Sequence, residues 1–138
     1  MSWKAKIKEM GGGDVTFLSS DGECLVCVIV DDPVVLKGKY KGKESERVGC
    51  PVVTDEGFLL FITGKRVARK LSKFEERFKE AAFMIVRHGV EDDVNSTYAV
   101  SILPDKEKTE QLLAIAKKDY KPAMLKDAVA AAEEIMKG

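Results

Sequence analysis

Histidine and tryptophan occur once each in this chain, cysteine three times and proline four times, and neither sign of charge is in excess. Each scarcity excludes something. The lone His88 leaves no Ser-His-Asp constellation that a fold would assemble, and no acid motif stands on a scaffold that would use it, so no catalysis is expected. An odd, low cysteine count fits a reducing compartment rather than a disulfide framework. No apolar run approaches the roughly 18 residues of a membrane-spanning helix; Leu25 to Val30 falls far short. Met1-Ser2-Trp3-Lys4 opens without an apolar signal core, so secretion is not expected and the cytoplasm is the expected compartment. There is no internal repeat and no low-complexity linker. What is present is a 45% apolar and 33% charged share over 138 residues, the balance of one folded domain with its own core.

The zero net charge conceals an uneven distribution. From Lys37 to Lys70, nine basic residues face four acids, whereas from Asp105 onward seven face seven. Compensating acid sits mainly at Asp31-Asp32 and Glu91-Asp92-Asp93. A phosphate backbone would meet the basic middle, not the neutral total.

Gly11-Gly12-Gly13 marks a hinge after an N-terminal arm, residues 1–15. Thr16 to Leu18 reads as a short strand and Cys24 to Val30 as a buried one, apolar on both faces. Asp31-Asp32-Pro33 should bend the chain, which resumes extended from Val34 to Lys41. Gly42 to Glu46 reads as a polar loop. Arg47 to Val53 and Phe58 to Thr63 are β-rich and joined by Thr54-Asp55-Glu56-Gly57, a hairpin signal. Val67, Leu71, Phe74 and Phe78 then recur at helical spacing, predicting a helix from about Lys65 to Ala81. Phe83 to His88 and Thr97 to Leu103 are two further strands, with Pro104 ending the last. Two helices follow, the first capped by Asp105, the second opened by Pro122.

Three strands, one helix and two strands, with a long bent first strand, is the order of a five-stranded Greek-key barrel of the OB type, in which the helix sits between strands 3 and 4. The expected division is an arm (1–15), an OB-type barrel (16–104) and a helical C-terminal extension (105–138). A curved antiparallel sheet of α+β class is the alternative. The apolar stripes of the extension must be buried, either on the barrel or against a second copy; its alanine-rich second helix favours a homodimer through residues 105–138.

Several residues carry candidate chemistry. Lys37, Lys39, Lys41 and Lys43 recur every second residue, which on one strand lines up ammonium groups about 6–7 Å apart, close to a phosphate spacing, with Tyr40 on the other face. The same row would also protect an edge strand against aggregation. Arg47 belongs to the expected loop beside it. Lys65 and Arg66, with Arg69 and Lys70, occupy the first turns of a helix, where the dipole favours acids; that placement hints at an external anion, or is a solvated face. Gly64-Lys65 lacks the remainder of a P-loop, so nucleotide hydrolysis is not supported. Phe61, Tyr98, Tyr40 and Trp3 are candidate base-stacking platforms. Arg87, at a strand end, is a candidate for phosphate pairing. Cys24, Cys27, Cys50 and His88 would be a legal zinc set, but positions three apart on a strand face opposite ways, and buried free thiols are expected instead. No metal or cofactor is expected, and the acid pairs read as solvated loops.

The run from Phe17 to Glu23, then Asp32-Pro33-Val34-Val35, Gly38-Lys39-Tyr40 and Cys50-Pro51-Val52, resembles OB-fold single-stranded DNA-binding proteins of phages and archaeal viruses. So do Gly64-Lys65-Arg66, Lys70-Leu71, Ile85 to Gly89 and Tyr98-Ala99-Val100. The resemblance spans about Phe17 to Leu103. It implies a sequence-tolerant single-stranded DNA-binding protein acting in DNA replication, recombination or repair, located in the host cytoplasm if viral. Some relatives carry a zinc module whose full ligand set is missing here. Many carry an acidic C-terminal tail for partners, whereas this tail is charge-balanced. An RNA-binding OB protein and a protein-interaction scaffold using the terminal helices are the alternatives.

Overall fold

The computed structural model describes residues 15–18, 21–40, 43–89 and 97–136. Trp3 and the rest of the arm up to residue 14, Lys41, and Glu91-Asp92-Asp93 lie outside them. The strands are β1 (Val15–Thr16), β2 (Cys24–Ile29), β3 (Val34–Tyr40), β4 (Lys43–Thr54), β5 (Gly57–Thr63), β6 (Phe83–His88) and β7 (Thr97–Ile102). The helices are α1 (Lys65–Ser72), α2 (Lys106–Asp119) and α3 (Pro122–Met136), with a 3-10 turn at Glu75–Arg77.

The seven strands form one mixed sheet in the order β1-β5-β4-β2-β6-β7, with β3 also paired to β4. β2 and β3 run along the same edge of β4 as a single bent line: Ile29 is opposite Val52 and, beyond the bend, Val34 opposite Gly49. Asp31-Asp32-Pro33 supplies the bend. Pro51 sits beside it, its carbonyl accepting from Val30 N at 3.1 Å. On an antiparallel strand the missing proline N–H falls on that same edge, where the bend has carried the partner away, so a buried proline is tolerated in mid-sheet. The N-terminal half of β2 pairs with β6 instead, and β6 with β7.

Where five strands were expected the sheet has seven, and among the described residues it is not closed. β1 pairs in parallel with β5, Val15 opposite Leu60, and so takes the edge of β5 that a closing strand would need. Among the described residues β7 and β1 are not paired.

Both faces are covered. On one, Leu25, Cys27, Val48, Cys50, Val52, Leu59, Phe61, Phe83 and Ile85 pack with Val67 and Leu71 of α1. On the other, Val28, Leu36, Val53, Phe58, Leu60 and Ile62 pack with Leu112 of α2 and Ala128 and Ala132 of α3. The described apolar residues of the two C-terminal helices thus pack on the sheet of their own chain. Alanines let α3 lie close to the sheet. Three contacts at the rim hold the pair of helices. Tyr120 Oη donates to Asp31 Oδ2 at 2.6 Å, Lys108 Nζ to Asp55 Oδ2 at 3.0 Å, and the Tyr120 ring lies 5.2 Å from that of Phe58.

The local signals at element ends hold. Asp105 caps α2 by accepting from Lys108 N, and Pro122 opens α3. Gly57 takes φ +106°, which closes the Thr54–Gly57 hairpin and which other residues rarely adopt. Two boundaries differ. The helix expected to reach Ala81 stops at Ser72, and the chain tightens into three-residue turns that set Phe74 and Phe78 each 5.6 Å from the Phe83 ring. The loop expected from Gly42 to Glu46 is strand from Lys43 onward: β3 ends at Tyr40 and β4 begins at Lys43, with Tyr40 opposite Lys43.

Candidate functional site

The α1 sequence, KRVARKLS, contains four cations and no acid. Its buried residues are Val67 and Leu71, four apart, which fixes the helix on the sheet. At about 100° per residue, Lys65, Arg66, Arg69, Lys70 and Lys73 span roughly 140° of arc directly opposite that anchor. All five are exposed. The two at the flanks are held: Lys65 Nζ lies 3.2 Å from Glu46 Oε2, and Lys70 Nζ donates to the Tyr98 carbonyl at 2.6 Å. Arg66, Arg69 and Lys73, in the middle of the arc, form no ion pair with a described residue. They span about 10 Å along the axis, room for two phosphate steps. The exposed Arg47 adds its guanidinium at the start of the helix, 3.8 Å from where a Cβ on Gly64 would lie.

The lysine row is altered by the hairpin. Lys37 stands opposite Glu46, and Lys39 opposite Glu44, in the register of β3 with β4. Lys43, across from Tyr40, returns on the second strand rather than extending the row. Lys41 lies outside the described residues, and the described part of the row is divided between β3 and β4. Of this row Lys37 is exposed, and Glu46 is shared with Lys65 of α1.

Three expected contacts are corrected. Phe61 is fully buried, not a stacking platform, because α2 and α3 cover one face of β5 while the other faces the α1 cluster. Arg87 is 8% exposed. Its Nη1 donates to Tyr98 Oη at 2.7 Å and to the Leu18 carbonyl at 3.4 Å, and its Nε to the Gly89 carbonyl at 3.1 Å. Tyr98 lies beneath that guanidinium, 5.6 Å from its ring centroid. The pair joins β6 and β7 to the chain after β1, a structural tie rather than an open phosphate contact. Lys73, which the sequence reading passed over, completes the helix arc; the i, i+3, i+7 spacing of Arg66, Arg69 and Lys73 was the available signal.

All three cysteines are free thiols, and burial, expected for all of them, is found for two. Cys24 is exposed, Cys27 and Cys50 buried. Burial, and then the neighbouring Cys50, pushes the Cys27 thiol far above its ordinary value; burial pushes Cys50 up to about 12. Among the described residues no group of three or more His, Cys, Asp or Glu is placed to hold a metal ion, and no helix is long and apolar enough to cross a membrane. No family model, curated protein or solved structure matches the chain.

Proposed function

We propose that this chain is a sequence-tolerant binding module for single-stranded DNA, built on an opened OB-type sheet, and that the strand crosses the cationic arc of α1. The carrying observation is the set Arg66, Arg69 and Lys73, exposed, free of ion pairs with described residues and opposite the helix's buried anchor. The bent first strand and a helix directly after β5 support the OB-type reading. The resemblance to phage and archaeal-virus proteins favours DNA and a role in replication, recombination or repair. The face of β4 and β5 that OB proteins commonly offer to a strand is occupied here by α2 and α3. With Phe61 buried and Tyr98 tied to Arg87, neither offers a base-stacking face, and the arc of α1 contributes charge.

Fluorescence anisotropy with a labelled dT oligomer, a duplex of equal length and a U oligomer, each at two salt concentrations, tests this. Replacing Arg66, Arg69 and Lys73 together by Ala should weaken dT binding and flatten the log–log salt slope by about 2, from three contacts at about 0.7 each. Equal affinity for the duplex, or an unchanged slope in the triple variant, refutes the proposal. Tighter binding of the U oligomer moves the reading to RNA.

A further inference from the structure

We infer that the β3–β4 ladder beside α1 is the base-facing half of a nucleic-acid site: Val35 packs against the bases of a strand whose phosphates lie on α1, and the Glu46 carboxylate accepts from their amino groups. On the strand-binding reading above, on which this rests, the bases are those of single-stranded DNA.

A cationic arc by itself does not select single strands, because a duplex carries the denser row of phosphates. Selection needs a surface for unpaired bases, which the buried Phe61 and the engaged Tyr98 do not supply. The ladder does. Leu36 is buried in the cluster that packs with α2 and α3, and Val34 packs against the same cluster. Side chains alternate along a strand, so Val35 lies on the other face, the one that carries α1. It is 61% exposed, against 38% for Phe17, the other exposed large apolar side chain among the described residues. Its register partner Val48 is buried with Val67 and Leu71 of α1. Val48 stands in turn opposite Thr63, the last residue of β5 before the helix. Two strand spacings, about 10 Å, therefore separate Val35 from the strand that leads into α1. The apolar face beneath α1 continues to Val35 and is uncovered there.

Glu46 sets the side on which the bases lie. Two residues from Val48 on the same strand, it reaches α1, where its Oε2 is 3.2 Å from Lys65 Nζ and both side chains stay about half exposed. The Lys65 flank of the cationic arc thus faces the ladder. A phosphate placed over this carboxylate would be repelled. The backbone of the strand therefore keeps to Arg66, Arg69 and Lys73, and its bases turn over Glu46 towards Val35. Lys65 engages one carboxylate oxygen, and a carboxylate offers two. The second can accept from a base amino group such as N4 of cytosine, whereas thymine presents the O4 acceptor at the equivalent position. Apolar contact through Val35 is indifferent to sequence; the carboxylate adds a modest preference for cytosine over thymine.

The test is fluorescence anisotropy of the full chain with labelled dT and dC oligomers and a duplex of equal length. Val35→Ala should weaken binding of both oligomers about fivefold, with the salt slope and the duplex affinity unchanged. Val35→Phe, which enlarges the apolar face, should strengthen it. The position is exposed, so both variants should keep the wild-type circular dichroism and melting temperature. Wild type should bind dC more tightly than dT. Glu46→Ala should remove that difference while raising the affinity for both oligomers, because it frees Lys65. Unchanged dT affinity in both Val35 variants, or a dC to dT ratio that Glu46→Ala leaves as it is, overturns the inference. If replacing Arg66, Arg69 and Lys73 still costs affinity and slope in the same assay, the strand-binding reading stands without it. Failure of wild type to bind either oligomer overturns both. A U oligomer that binds more tightly than dT and responds to the Val35 variants in the same way keeps the base contact and moves the reading to RNA.

Discussion

Removing residues 105–138 should unfold the remainder rather than release an independent sheet. The cut deletes α2 and α3, which cover six apolar side chains of the sheet: Val28, Leu36, Val53, Phe58, Leu60 and Ile62. None of them is more than 8% exposed in the intact chain. Exposing such a side chain costs about 1.5–3 kcal/mol, so six amount to roughly 9–18 kcal/mol. Residual compaction of the unfolded chain lowers this by about 10–40%. What is left is still of the order of the whole stability of a domain, about 5–15 kcal/mol. The Tyr120–Asp31 and Lys108–Asp55 contacts are lost in addition.

The assay is thermal unfolding of residues 1–104 by circular dichroism, with dye binding to report exposed apolar surface and light scattering to report mass. The expected result is aggregation, or a monomer with no cooperative transition and strong dye binding. A monomeric fragment that melts cooperatively and binds no dye would show that the helices are an accessory layer and that the six side chains do not form one core with them.

What the sequence made legible was chemistry acting within a few residues. Asp105 and Pro122 announce helix starts, Thr54 to Gly57 a hairpin, and Asp31-Asp32-Pro33 a bend, because each is decided by a proline ring, a short acceptor side chain or a glycine torsion. What was hidden was decided by distant partners. Period two in Phe58 to Thr63 poses the question of which face is core, and the answer, both, is set by helices more than forty residues later. The even spacing of Lys37, Lys39, Lys41 and Lys43 runs from β3 into β4. Only the register reveals that Glu44 and Glu46 come back opposite Lys39 and Lys37. Arg87 has the local context of a loop-end cation, and its capture by the Leu18 carbonyl spans sixty-nine positions. The α1 surface was the reverse case. Its anchor at Val67 and Leu71 is periodic within the helix, so the opposing cations could be read from the sequence, and the structure adds which of them remain unengaged.

The remaining predictions concern the thiols and the rim of the helical pair. With an aromatic disulfide reagent at pH 8, Cys24 should react promptly while Cys27 and Cys50 wait for unfolding, because burial holds both thiols protonated and it is the thiolate that attacks; three equally fast sulfurs in the native protein would contradict the packing. Tyr120→Phe should keep the ring stacked near Phe58 and remove only the hydroxyl bond to Asp31. Bonds to charged groups are worth about 1.5–3 kcal/mol when enclosed; Asp31 is half-exposed and water can replace the lost donor, so a loss of about 1 kcal/mol is expected. Burial first, and then the bond to Asp31 and its charge, raises the Tyr120 hydroxyl above its ordinary value of 10.0. A group whose folded value is raised contributes stability that is complete below the unfolded value and is lost as pH rises towards the folded one. Wild type and Tyr120→Phe should therefore differ by a constant amount in urea denaturation from pH 6 to 9, and the gap should narrow above pH 10 as the wild-type hydroxyl loses its proton on unfolding. A gap that is unchanged or widens above pH 10 would show that the hydroxyl does not donate to Asp31.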